Sequence, residues 1–215
     1  MTEEILFNLS KEEPVFDLTK AAPDLLVEVI VGCSWKTKKN FDVDIDVSAI
    51  AYDKEGRSVG HAYHGNKRQW LMQSSMFHMG DDLTGSDAKT DMDNEQIILK
   101  LNNMPSNVKS VFLMGNVYDS NKDKVKSWNM CLRDKSGKKI LNANVGKAGI
   151  KGVVFAVLIK DDAGVWTFER VDVEVNARGY SETMKYIDAK NLKVHGAVVV
   201  ADAPKKGLFG RLFGS

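Results

Sequence analysis

The sequence predicts a mainly β fold, an antiparallel β-sandwich with one or two short helices. Short β-branched runs recur along the chain, and polar turn sequences separate them. Apolar residues make up 43% and charged residues 27% of the 215, a balance that suits a folded chain with core enough for one ordinary domain.

The first run, residues 25–31 (LLVEVIV), is bounded by Pro23 and Gly32. The second, 43–52, stops at the turn sequence Asp53-Lys54-Glu55-Gly56. Further strands are expected over 96–101, 110–118, 127–133, 152–160 and 165–175. Asp134-Lys135-Ser136-Gly137 and Asp161-Asp162-Ala163-Gly164 supply turns between them. A helix is expected over 181–192, where Met184, Ile187 and Leu192 share a face. The domain is therefore expected to span 1–196, with a linker at 197–204 and a separate tail at 205–215. No internal repeat is evident.

In the tail, Leu208, Phe209, Leu212 and Phe213 would form one apolar helical face, rimmed by Lys205, Lys206 and Arg211. Gly207, Gly210 and Gly214 weaken such a helix in isolation. Two readings stand: a short peptide that docks on a membrane surface or a partner groove, and so on a protein partner or membrane-associated assembly, or a strap packed on its own domain or a disordered end. With only three bases, the tail alone makes a poor membrane anchor.

A formal net charge of +1 leaves no global field for nucleic acid, so none is expected as a partner. The N-terminus lacks a basic segment followed by an apolar one, and no apolar run is long enough to span a membrane. The expected place is the cytoplasm, with a peripheral position at a membrane or in an assembly also open. Cys33 and Cys131 sit in apolar, strand-like runs and lack zinc-site spacing, which predicts buried, reduced thiols.

Local charge is uneven. Between Gly80 and Glu95, six acids (Asp81, Asp82, Asp87, Asp91, Asp93 and Glu95) face one base, Lys89. Upstream, Asp42, Asp44 and Asp46 alternate with Val43, Ile45 and Val47. In a strand the three carboxylates share one side at ~7 Å intervals, while the apolar residues face the core. Aspartate is a poor strand former, so a compensating interaction is expected. A hard cation such as Ca²⁺, which takes oxygen ligands, would neutralise the repulsion and pin the glycine-containing loop 80–95 against the strand. The residues alone leave a second reading open, a solvated acidic loop beside the wet face of an edge strand. The spacing is not that of an EF-hand: Val47 stands where the sixth position needs Gly, and Asp53 where the twelfth needs Glu. His61, His64 and His78 do not form a tight Cys/His set, and His64 and His78 read as ordinary polar residues.

No P-loop, HExxH, nucleophile elbow or GxGxxG occurs, and no enzyme is expected. A metal-using hydrolase or transferase is the residual enzymatic reading.

Several segments together resemble the TerD family of tellurium-resistance and stress-response proteins, over nearly the whole chain before the tail. They are FNLSKEEPVFDLTKAAPDL at 7–25, VGCSW at 31–35, DVDIDVSA at 42–49, GDDLTG at 80–85, DNE at 93–95, VYDS at 117–120 and ARGYS at 177–181. The resemblance implies a calcium-binding β-sandwich. It carries calcium ligation onto Asp42, Asp44, Asp46, Gly80 (through its backbone), Asp81, Asp82, Asp93 and Glu95, with Asp119 a weaker candidate. Asp82 stands where the family usually has Asn, and residues 86–92 form a longer stretch than usual. The function implied is a non-enzymatic calcium-binding adaptor resembling tellurite and chemical-stress resistance proteins. The alternative is a structural or assembly protein that uses the sandwich as scaffold and the tail as attachment peptide.

Overall fold

The computed structural model describes residues 15–18, 27–39, 41–66, 72, 74–84, 93–118, 122–146 and 148–189. The linker, the tail with Leu208, Phe209, Leu212 and Phe213, and the acids Asp87, Asp91 and Asp119 all lie outside the described residues.

The strands are β1 (Val15–Asp17), β2 (Val29–Thr37), β3 (Ile45–Asp53), β4 (Ser58–Ala62), β5 (Met76–His78), β6 (Glu95–Leu99), β7 (Val108–Val117), β8 (Val125–Arg133), β9 (Lys139–Gly146), β10 (Gly152–Lys160) and β11 (Trp166–Val175). One helix, α1 (Tyr180–Ala189), follows. The strands form a six-stranded sheet, β1-β11-β10-β7-β3-β4, and a five-stranded one, β5-β6-β2-β8-β9. Every strand pairing is antiparallel. The molecule is a β-sandwich, as the alternation of short runs and turns predicts.

Between the sheets lies the main core, where Trp35, Ile45, Val47, Leu113, Trp128 and Phe155 are all buried. Trp35 and Trp128 are register partners on β2 and β8. Gly115 on β7 makes room for the second indole, since a Cβ there would lie 2.3 Å from its Cζ2. A second apolar layer, with Ile50, Phe112, Met114, Val154, Val175 and Ile187, packs α1 on the outer face of the six-stranded sheet. This explains why β3 is buried at every position instead of alternating. Asn116 fastens the helix: its Nδ2 donates to Ala177 O at 3.0 Å and lies 2.8 Å from Thr183 Oγ1.

Some expected boundaries move. The strand expected over 25–31 is Val29–Thr37 and runs straight through Gly32. That glycine does not stop the strand; its bare Cα admits a neighbour, because a Cβ would lie 2.2 Å from Asp93 Oδ2. The helix begins at Tyr180, one residue before the expected start, and its described part ends at Ala189. Glu182 Oε2 accepts from Arg178 N at 2.9 Å and fixes that start. The strand expected from 43 begins at Ile45, so Asp42 and Asp44 precede the ladder.

Both cysteines are free and buried. Cys33 Sγ lies 3.2 Å from Trp128 Nε1 in the core, and Cys131 Sγ donates to Asp93 Oδ1 at 3.3 Å. Burial, followed by the Asp93 carboxylate, pushes the Cys131 thiol up to about 12, and burial raises Cys33 well above the ordinary thiol range. Neither offers a ready thiolate. Ellman's reagent at pH 8 is therefore expected to label native protein at least about 100-fold more slowly than denatured protein. Rapid stoichiometric labelling of the native fold would contradict these environments.

Candidate metal centre

The acidic site forms at one end of the sandwich, where the approach to β3 meets the connection between β5 and β6. Val43, Ile45 and Val47 are wholly buried in the core. Their alternation turns Asp44 and Asp46 to the other side, as the sequence pattern implies. Two anchors hold this approach. Trp35 Nε1 donates to Val43 O at 2.8 Å, and Tyr118 N donates to Asp44 O at 3.0 Å, extending the β3–β7 register past Ile45 and Val117.

The loop after β5 brings Asp81 to this side. Ligand-capable atoms of Asp44, Asp46 and Asp81 all lie within 4.8 Å of one another. Oxygens on opposite sides of a calcium ion stand about 4.6–5.2 Å apart, twice the usual bond length, so the spacing fits. The donor set is all carboxylate, which suits a hard cation and not a thiophilic one.

Glu95, the first residue of β6, closes the back of the site and is 1% exposed. Its Oε2 accepts from Val47 N at 2.8 Å and its Oε1 from Asp82 N at 3.3 Å. Burial, aided by the Asp46 charge, pushes the Glu95 carboxyl up to about 9, against the pull of the two backbone N–H groups. The neighbouring Asp81 side chain also disfavours its ionisation. Burial also raises Asp46, as does Asp81, while His64 opposes them.

The structure separates the remaining candidates. Asp42 is exposed and outside the cluster. Gly80 lies on the loop beside Asp81, and nothing would obstruct a Cβ there. Asp82 organises the loop itself: Oδ1 accepts from Thr84 N at 2.9 Å and Thr84 Oγ1 at 3.1 Å, and Oδ2 from Asn94 Nδ2 at 2.8 Å. This is an Asx turn tied to β6. Asp93 turns to the outer face of the five-stranded sheet. There it lies over Gly32 and pairs with Arg133, Nε to Oδ2 at 2.9 Å.

Two histidines that the sequence reads as ordinary polar residues border the site. His64 Nδ1 contacts Asp46 Oδ1, and His78 Nε2 lies 3.4 Å from Glu95 Oε2. No spacing rule marks them, because His64 sits in the turn after β4 and His78 on a three-residue strand. Asn94 is a third unforeseen member. Its Oδ1 accepts from Trp35 N at 3.0 Å, and so links the loop to β2.

Comparison with known proteins adds three findings. The family model described as TerD domain matches residues 6–201. The curated "Tellurium resistance protein TerD" of Serratia marcescens is 30% identical over 108 residues, 48% of this chain and 53% of that protein. The chain thus spans about half the length of the curated relative it matches. Among solved structures, the unknown function protein SAV2460 superposes with a TM-score of 0.60 at 17% identity, over 71% of this chain and 91% of that one. A homologue of telluride resistance protein (TerD), SCO6318 from Streptomyces coelicolor A3(2), gives 0.60 at 16% identity, over 70% and 91%. At those identities the two structures speak to the fold alone.

Proposed function

We propose, from the premise that the chain belongs to the TerD family, that it is a calcium-binding, non-enzymatic adaptor of the tellurium-resistance and chemical-stress type. The observation that carries this reading is the convergence of Asp44, Asp46 and Asp81, backed by the buried Glu95. Bound calcium would supply charge neutralisation among these oxygens. The chain's own residues do the rest. Asp44 and Asp46 present carboxylates from a backbone held by Trp35 and Tyr118, and Asp82 and Asn94 shape the loop that delivers Asp81. No described helix is long and apolar enough to cross a membrane.

The proton on Glu95 gives the reading its test. Without metal, folding favours the protonated carboxyl, so stability from this group is full below the ordinary glutamate range near 4.5 and is lost as pH rises through about 9. A cation favours the ionised form, so its binding expels that proton. Apparent calcium affinity is therefore expected to rise with pH from 6 to 9, by up to about tenfold per unit. Calorimetry in buffers of differing ionisation enthalpy checks both the affinity and the proton release. Absence of a calcium isotherm at pH 8 would reject the function. A pH-independent isotherm would place the ion away from Glu95.

A further inference from the structure

We infer that the end of the sandwich bearing the acidic cluster is a calcium-dependent docking surface for an anionic lipid bilayer, an inference that rests on the calcium reading above. Among the described residues, the exposed large apolar side chains are Val27, Phe41, Met79, Leu83 and Tyr118. Val27 precedes β2 at its far end. The other four stand around the cluster: Phe41 is 41% exposed, Met79 56%, Leu83 60% and Tyr118 60%. Met79 and Leu83 flank Asp81 in sequence, Phe41 precedes Asp44, and the Tyr118 backbone is bonded to Asp44. Large apolar side chains held in water around a polar site mark a surface that something else covers.

The chemistry of the surroundings selects the occupant. Lys38 and Lys39 are exposed beside Phe41, and Lys124 Nζ lies 4.9 Å from the centre of the Phe41 ring while also pairing with Asp123. Lysines beside Phe41, with Met79, Leu83 and Tyr118 exposed around the same cluster, fit anionic headgroups above acyl chains, the pattern of interfacial membrane binding. A cavity of about 500 Å³, lined by Val59, His61, Met72 and Tyr180 among others, lies elsewhere, and none of the four lines it. Metal coordination adds the switch. Calcium takes about six to eight oxygens, so the three clustered carboxylates leave positions that lipid phosphate oxygens can fill. Without the ion, the carboxylates repel the same headgroups.

Sedimentation of the full chain with vesicles tests this, using phosphatidylcholine alone and phosphatidylcholine mixed with phosphatidylglycerol, each with calcium or with chelator. The expected result is binding to the mixed vesicles in calcium only. The F41S/L83S double variant, whose changes lie at exposed positions, is expected to keep the calcium isotherm and lose at least about tenfold in vesicle partitioning. Replacing Leu208, Phe209, Leu212 and Phe213 with Ser is expected to leave the calcium-dependent part intact. Calcium binding without vesicle binding, equal binding to neutral vesicles, or partitioning unchanged in F41S/L83S would each overturn the inference while leaving the calcium reading standing. A missing calcium isotherm would remove both.

Discussion

In D46N protein, calorimetric titration is expected to return a calcium affinity at least about 100-fold weaker than the unaltered chain's, near 2.8 kcal/mol. The Asp46 side chain is 4% exposed, so water cannot readily replace the lost charge at that position. Asparagine keeps the shape and can still accept from His64, which separates loss of a charged ligand from loss of the fold. The metal-free variant is expected to be at least as stable as the parent, because burial and Asp81 already disfavour the Asp46 charge. Calcium is expected to raise the melting temperature of the parent by binding the folded state preferentially, and to fail to do so in the variant. Thermal denaturation with calcium and with chelator reads both effects. An undiminished calcium shift in D46N would exclude Asp46 from the site.

Arg133→Ala is expected to be the most damaging single change outside that site, at about 3–5 kcal/mol of unfolding free energy. The Arg133 and Asp93 side chains are 9% and 3% exposed. The guanidinium donates from Nε to Asp93 Oδ2 and from Nη1 to Gly137 O at 3.1 Å, tying the approach to β6 to the β8–β9 turn. Truncation leaves a buried carboxylate over Gly32, with the Cys131 thiol and Gln96 as its remaining side-chain donors. Urea denaturation should show a lower midpoint at nearly constant slope. The D93A/R133M double change should recover much of the loss, because no orphaned charge remains. A loss below about 1 kcal/mol in R133A would mean that water reaches the pair.

The seven runs that the sequence marks as strands correspond to β2, β3, β6, β7, β8, β10 and β11, which are the interior strands of the two sheets. Those not foreseen, β1, β4, β5 and β9, are the edges. The physics is direct. An interior strand is flanked on both sides and packed on at least one face, which demands continuous β-branched and apolar residues. An edge such as β4 (SVGHA) or β9 (KILNANVG) meets a neighbour on one side only and tolerates Gly, His, Lys and Asn. The site was legible to the same degree. Alternation revealed Asp44 and Asp46, and acid density pointed to the loop carrying Asp81. Tertiary placement decided the rest. Asp82 and Asp93 are as acidic as their neighbours, yet one shapes the loop and the other answers Arg133. His64 and His78 reach the carboxylates from elements with no sequence signal of their own.

Asp44 and Asp46 enter from the β3 side of one sheet, whereas Asp81 and Glu95 belong to the β5–β6 side of the other. Filling the cluster would therefore rivet the two layers together at their rim, like a clasp on a hinged case. Force that prises the layers apart from that rim would have to break the rivet first. The resistance of the protein to such tearing would then follow the concentration of the ion around it.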